Sequence, residues 1–405
     1  MTSADSILKV HYTNDMIMRM TYQDHPFFAL MPKMTDFGGK NLPIPIIYGA
    51  PQGRSSSFAI AQANKRASKF KDFTLTRAKD YGLASIDGET IDATRGNNNA
   101  FIEALTSEVD GVFESLTGSL ASSLFRSGSG SIGKIASTTN VTTDTIVLTN
   151  AEDSVNFELG QILVASAADG GGTVKASGAV QNAAEIIGID RILGTLKMSV
   201  TLDSFGSNDW AAADYLFVQG DYDLKVKGLE AWIPAVAPTS ALFFGVDRSS
   251  DPVRLGGMRK DVSNMPLEEG LVDGLMLANR EGANLSHYFL NYANFGLLEK
   301  SLGSKCIYVD VNTTAGIAFR GIQINNPKGK PVTVLADQSC QDDVAWGLQM
   351  DTWKLYSLGS APKLLNQDGN KVLREATEDG VEVRCGYYAQ VGCRGPGRNI
   401  RLKIK

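Results

Sequence analysis

Apolar positions along the chain change period several times, and each change marks an element. Between Asn97 and Arg126, Phe101, Leu105, Val109, Val112, Leu116, Leu120 and Leu124 recur at steps of three and four. That spacing gathers them on one face of an α-helix. Asn97–Asn99 supply N-cap residues, Glu103 suits the positive end of the helix dipole, and Ser127-Gly128-Ser129-Gly130 ends the run. Roughly 29 residues at ~1.5 Å each make a rod of ~43 Å, which Gly111 and Gly118 weaken only modestly. Upstream the period drops to two: Phe73-Thr74-Leu75-Thr76-Arg77 alternates as a strand.

The remaining segments read more coarsely. Ser6–Tyr22 carries Ile7, Val10, Ile17 and Met20 at helical spacing and stops at His25-Pro26. Leu42-Pro43-Ile44-Pro45-Ile46-Ile47 is extended, because its prolines exclude a helix. It is either an edge strand of this protein's own sheet or a strand laid on a neighbour. From Thr138 to Val226, short β-type runs (Thr145–Leu148, Gln161–Val164, Ile186–Ile189, Leu196–Leu202, Tyr215–Val218) alternate with Gly, Asn and Asp turns. This is the pattern of a small all-β module. Residues 228–345 read as mixed α/β, with helices at Glu268–Glu281 and Leu285–Ser301 and strands at Cys306–Val311 and Val332–Leu335. The C-terminal stretch returns to strands and turns.

Charge adds an asymmetry to this pattern. The chain has 405 residues, a net charge of −5, 20% charged and 43% hydrophobic residues. It is long enough for two or three domains and too balanced for wholesale disorder. An acidic total argues against a dedicated nucleic-acid binder. Locally the picture differs. Between Ala50 and Asp80, seven cations (Arg54, Lys65, Arg66, Lys69, Lys71, Arg77, Lys79) stand against two acids, Asp72 and Asp80, a net of +5. Residues 138–226 hold twelve acids and four bases, a net of −8. A basic hairpin with so little apolar surface is expected to find its partner on another molecule, and an acidic protein surface suits it better than nucleic acid. Its aromatics, Phe58, Phe70 and Phe73, form no stacking platform for bases. The acidic module could meet the basic segment between subunits, or lie outward and confer solubility.

Candidate chemistry changes the picture little. Gly128-Ser129-Gly130-Ser131-Ile132-Gly133 matches GxGxxG, and Lys134 nearly completes a phosphate-binding loop. Yet Ile135 replaces the magnesium-binding hydroxyl, and the glycines follow a helix where the motif needs a strand before them. A flexible helix-ending linker is the preferred reading. His11, His25 and His287 lie far apart, and Cys306, Cys340, Cys385 and Cys393 lack CxxC spacing. A metal site or histidine base is therefore not expected, and reduced, buried thiols in a cytosolic protein are. Asp342-Asp343 reads as a solvated turn, and the acids Glu103, Glu108, Asp110 and Glu114 as a solvated or interface face of the long helix. No run reaches the ~20 apolar residues of a membrane span, and no signal peptide is expected at the N-terminus.

The order of segments resembles the major capsid protein of tailed bacteriophages, the Hong Kong 97-type fold. Gly228-Leu229-Glu230-Ala231-Trp232-Ile233-Pro234, followed by Phe244-Gly245-Val246-Asp247-Arg248-Ser249, is similar to the family's approach to its axial domain. Pro331–Asp337, Trp346–Met350, Asp351-Thr352-Trp353 and Gln367-Asp368-Gly369 are similar to its C-terminal half. The resemblance covers nearly the whole chain except residues 138–226. It implies an α+β fold with an N-terminal arm (1–48), an extended loop (49–96), the spine helix of a peripheral domain (97–137), an inserted β-barrel-like domain (138–226), an axial domain (227–345) and a β-rich C-terminal part (346–405). It implies a structural, non-enzymatic role: identical subunits tile an icosahedral shell around double-stranded DNA, without cofactor or metal. The seven cations would then make inter-subunit contacts, and the apolar stripe from Phe101 to Leu124 would pack the spine helix. Expected partners are further copies in pentamers and hexamers, a separate scaffold, a portal, cement proteins as an open addition, and DNA by non-specific proximity. Assembly would occur in the host cytoplasm and the product would be the virion capsid. Cross-linking through Lys65, Lys69 or Lys71 is not expected, since no partner asparagine or catalytic carboxylate can be placed. Two rival readings stand beside this one. The first is a glycan- or surface-binding protein using residues 138–226, with Trp210 and Tyr215 as stacking residues. The second is an enzyme resting on the defective phosphate loop.

Overall fold

The computed structural model describes residues 25–87, 98–303, 307–312, 318–366, 372–374 and 379–405, with side chains of the long helix described from Thr106 onward. The expected helix at Ser6–Tyr22, His11 and Cys306 lie outside the described residues. The described chain forms two compact units, one built from 78–231 and 360–387, the other from 26–77, 232–359 and 388–405.

In the first unit the helical stripe becomes a helix at Asn98–Phe125. Val109, Leu116, Leu120 and Leu124 are buried along it, as are Phe113, Ala121 and Phe125, so the apolar face is wider than one row. Strand Ala78–Asp87 lies against this face. Gly82 permits the approach: a Cβ there would stand 2.5 Å from Val112 Cγ1 and 3.2 Å from Leu116 Cδ1. The same strand pairs with the first half of Gly380–Cys393, which also takes Lys363–Leu364 and Val372–Arg374 as antiparallel neighbours.

The segment after the helix is not a linker. Ser131–Lys134 is a strand that pairs with Tyr215–Val218 and opens a six-stranded sheet. From there the order continues through Ile162–Ser166, Ala183–Asp190, Thr195–Met198 and Thr145–Val147. The outer strands of this order also meet, through the bonds Ala136 N to Val147 O and Thr149 N to Lys134 O, 2.8 Å each, and the Ile135–Leu148 bridge. The sheet therefore closes into a small barrel without free edges. Ile135, Ile146, Phe157, Leu163, Ile186, Leu196, Trp210 and Leu216 fill it.

The second unit is organised by a mixed seven-stranded sheet in the order Met258–Asp261, Ile400–Lys403, Val344–Leu348, His287–Leu290, Val332–Ala336, Ala318–Ile324, Tyr308–Asn312. Helices Leu267–Arg280 and Tyr292–Leu302 pack on it around Leu271, Leu275, Tyr288 and Leu402. The expected helix from Leu285 is in part a strand. His287–Leu290 pairs on both sides, and the helix begins only after Asn291, whose side chain caps it by accepting from Asn294 N at 2.8 Å. The apolar run Tyr288–Leu290 is too short to carry a period that distinguishes a central strand from a buried helix.

The proline-containing strand Asn41–Gly49 pairs antiparallel with Lys69–Thr76 of its own chain. Ile44, Ile46, Phe73 and Leu75 are buried, and the Phe73 ring lies 5.1 Å from that of Trp232. The hairpin base therefore does fold onto a core of its own chain. Its few apolar residues suffice because alternation points all four to one face.

Candidate assembly surface

Beyond that base, the hairpin extends into a tip of different character. Gln52 and Arg66 exchange backbone hydrogen bonds at 3.1 and 2.9 Å and close the neck. Past the neck the chain forms a short helix, Phe58–Ala63, with no buried residue. Phe58 is 83% exposed, Ile60 53% and Phe70 58%. A helix this short is marginal alone in water, and among the described residues nothing buries its apolar side chains. The tip thus offers solvent an apolar helix flanked by cations.

The seven cations separate into three groups. Arg54 and Lys65 at the tip, Arg66 at the neck and Lys69 at the first position of the base strand are exposed, and none makes a salt bridge among the described residues. Arg66 also donates to the carbonyls of Ala63 and Lys65, the latter at 2.9 Å. Lys71 and Arg77 belong to the base. Lys71 donates to the Asp247 carbonyl and, at 3.0 Å, to Ser250 Oγ, while Arg77 donates to the Phe37 carbonyl at 2.5 Å and lies over its ring. Lys79 is exposed on the strand in the other unit. In the helical stripe, Val112 is half-buried, and the side chains of Phe101 and Leu105 lie outside the description.

Sequence reading missed a buried charged cluster inside the first unit. Asp80 Oδ2 accepts from Lys225 Nζ at 2.5 Å, from Ser119 Oγ at 2.8 Å and from Tyr387 OH at 3.2 Å. Lys225 also lies 2.9 Å from Asp221 Oδ2. Four chain segments meet there: the 78–87 strand, the long helix, the exit of the barrel and the 380–393 strand. Burial holds the Asp221 carboxyl above its ordinary value, despite the attraction of Lys225, and likewise raises the Tyr387 hydroxyl. The only sequence signal was Asp80 itself, an acid in a basic run.

In the second unit Asp337 is fully buried. Its carboxylate accepts from the backbone N–H groups of Phe27 and Ser339, 3.0 Å each, yet burial raises it to about 6. Burial lowers His287 to about 4, so it is neutral at physiological pH. Cys340, Cys385 and Cys393 are buried free thiols, and burial pushes the last two to about 12. Among the described residues no cluster of three potential metal ligands forms. Asp342 pairs with Lys405 at 2.7 Å.

Both rival readings lose their geometry. Ser129 Oγ donates to Asp169 at 2.5 Å, so an acid stands beside the glycine loop, and a strand follows where a phosphate would need a helix N-terminus. Of the two stacking residues of the glycan reading, Tyr215 is half-buried with Lys134 Nζ 4.6 Å from its ring centre, and Trp210 is 1% exposed. Its Nε1 donates to Asn182 O at 3.0 Å and its ring stacks on Phe205 inside the barrel. A ring so placed offers no face to a sugar.

No protein-family model matches the chain, and no curated protein resembles it in sequence. Among solved structures, the chain is similar to the capsid asymmetric unit of cyanophage A-1(L), with a TM-score of 0.52 at 11% identity over 95% of this chain and 93% of that one. The capsid of a native GTA particle gives a TM-score of 0.46 at 9% identity, over 92% and 88% of the two chains. Mycobacterium phage Ogopogo gives 0.44 at 8% identity, over 94% and 92%. The cyanophage likeness carries the assignment: the chain is α+β and has the fold of a tailed-phage major capsid protein.

Proposed function

We propose that this protein is a structural, shell-forming subunit, the major capsid protein of a tailed bacteriophage. Many copies assemble into an icosahedral shell around packaged double-stranded DNA. The observation that carries this reading is the likeness of backbone path to the cyanophage capsid subunit over 95% of the chain. The exposed apolar and basic hairpin tip supports it independently, since such a tip gains free energy only by covering another surface. Under this reading only the free end of the extended loop (49–96), the hairpin tip, is laid on an adjacent subunit, and the helix of 97–137 is the spine of a peripheral domain. The barrel, opened by Ser131–Lys134 ahead of 138–226, is an inserted domain, 227–345 the axial domain, and 346–405 the returning C-terminal part. The partners are further copies in pentamers and hexamers, together with separate scaffold and portal proteins. The work is mechanical, and its product is a virion shell assembled in the host cytoplasm. Obligate interfaces of this kind bury upwards of ~2,000 Å², and a shell multiplies them so that no single contact need be tight.

Negative-stain microscopy of the purified chain, alone and co-expressed with a neighbouring scaffold candidate, tests the reading. Closed shells, or pentameric and hexameric rings, are expected. A strictly monodisperse monomer under both conditions would overturn it.

A further inference from the structure

The barrel carries an outward patch that no described residue covers. Ile162 and Glu185 are register partners on adjacent strands and both are exposed. Ile187 lies two positions further along the same face, 53% exposed. Leu159, 65% exposed, sits beside it because Gly160 N donates to Ile186 O at 2.9 Å. The turn after this strand adds Ile192 and Leu193, 91% and 67% exposed.

That turn is built, not loose. Asp190 Oδ1 accepts from the backbone N–H groups of Ile192 and Leu193 at 3.0 Å each. The Arg191 guanidinium donates to Ser154 O at 2.9 Å, Phe157 O at 3.1 Å and Glu158 Oε1 at 2.9 Å. Gly194 has φ +65° and lies so close to Ala151 that no Cβ fits. Two large aliphatic side chains are thus fixed in solvent, where covering them is favourable. Glu158, Glu185 and Asp190 make the surround acidic; of the local cations, Arg191 already engages three acceptors, and Lys197, opposite Gly188, lies 3.8 Å from Asp144 Oδ2.

The patch therefore calls for an occupant that is apolar and basic together. The hairpin tip has that character, with Phe58 and Ile60 beside Arg54, Lys65, Arg66 and Lys69. We propose that the barrel patch of one copy is the seat for the hairpin tip of another. Apolar side chains pair at the centre, and lysines and arginines meet glutamates around them, fixing register and orientation. The inference rests on the self-assembly reading above and specifies which surface of the neighbour the tip meets.

Charge exchange in the full chain tests it. The tip set is Lys65→Glu with Arg66→Glu, and the patch set is Glu185→Lys with Ile187→Lys. All four positions are exposed, so each variant should melt like wild type. Sedimentation velocity and negative stain would give the concentration at which assembly begins. Each set alone should raise it by about tenfold or more, and the chain carrying both should recover to within about threefold. Carbodiimide coupling of mixed light and isotopically heavy wild-type chains should join Lys65 or Lys69 of one copy to Glu158 or Glu185 of the other. Shells that form from each variant set as readily as from wild type, or a combined variant that fails to recover, would overturn the contact and leave the shell reading standing. Wild-type chains that never associate would remove both.

Discussion

Lys225→Met probes the charged cluster most directly. In the first unit two largely buried carboxylates, Asp80 and Asp221, with side chains 13% and 22% exposed, share one ammonium whose side chain is 8% exposed. Methionine preserves the apolar stem and removes the charge, so the two acids face each other without a counter-ion. Breaking a buried pair from one side costs ~3–5 kcal/mol, a large part of a domain's 5–15 kcal/mol and about 10 °C in melting temperature. The pH dependence has a definite sign. The Asp221 carboxyl already titrates above its ordinary value in the folded chain, because burial outweighs Lys225. Its favourable contribution is complete below the unfolded value, ~3.9, and disappears as pH rises through the folded one. Losing Lys225 moves the folded value higher still. The penalty of the substitution should therefore be larger near pH ~8 than near pH ~5. Urea unfolding followed by circular dichroism at both pH values measures it, and the Lys225→Met, Asp221→Asn double variant should regain about half of the loss. An equal penalty at both pH values, or a double variant no better than the single, would refute the reasoning.

Asp337→Asn should change the pH profile of the second unit. Since burial raises this carboxyl to about 6 from 3.8, its contribution favours the fold below pH ~4 and is lost through pH ~6. The stability advantage of wild type over the variant should shrink by roughly 2–3 kcal/mol between those limits, read from urea midpoints across pH. Gly82→Ala should destabilise the first unit by ~1–3 kcal/mol in thermal melts, because its Cβ enters the space of Val112 and Leu116. Phe73→Ala should cost ~3–5 kcal/mol, whereas Phe58→Ser should leave chain stability within ~0.5 kcal/mol and weaken assembly alone.

Where the period was long and regular, sequence was a sufficient guide. The stripe from Val109 to Leu124 is a helix with those residues inward, and most short β runs of the barrel fall within one to three residues of their strands. Legibility failed where context decided. Ser131–Lys134 reads as a glycine linker, yet barrel closure recruits it as a strand. Leu285–Leu290 is apolar at every step toward its end, and parallel pairing made it a central strand. The Asp80–Lys225 cluster joins residues 145 positions apart, a distance at which no local pattern operates.

The basic hairpin shows most clearly how one continuous charge run can hold two roles. Its cations are not equivalent. Lys71 and Arg77 are consumed by carbonyl and hydroxyl acceptors beside the buried strand faces, where they fix the base to its own unit. Arg54 and Lys65 stand past the closed neck, beside a helix with no buried residue, while Arg66 forms the neck and Lys69 lies just before it, opposite Gly49. Alternation explains the division. A strand turns every second side chain inward, so Ile44, Ile46, Phe73 and Leu75 anchor the base with four residues. The tip breaks that alternation with a helix and loses its inward face. An arm anchored firmly at one end and unsatisfied at the other keeps its shape in the free subunit. It therefore pays little ordering entropy when it docks, and a modest contact suffices when it is repeated many times.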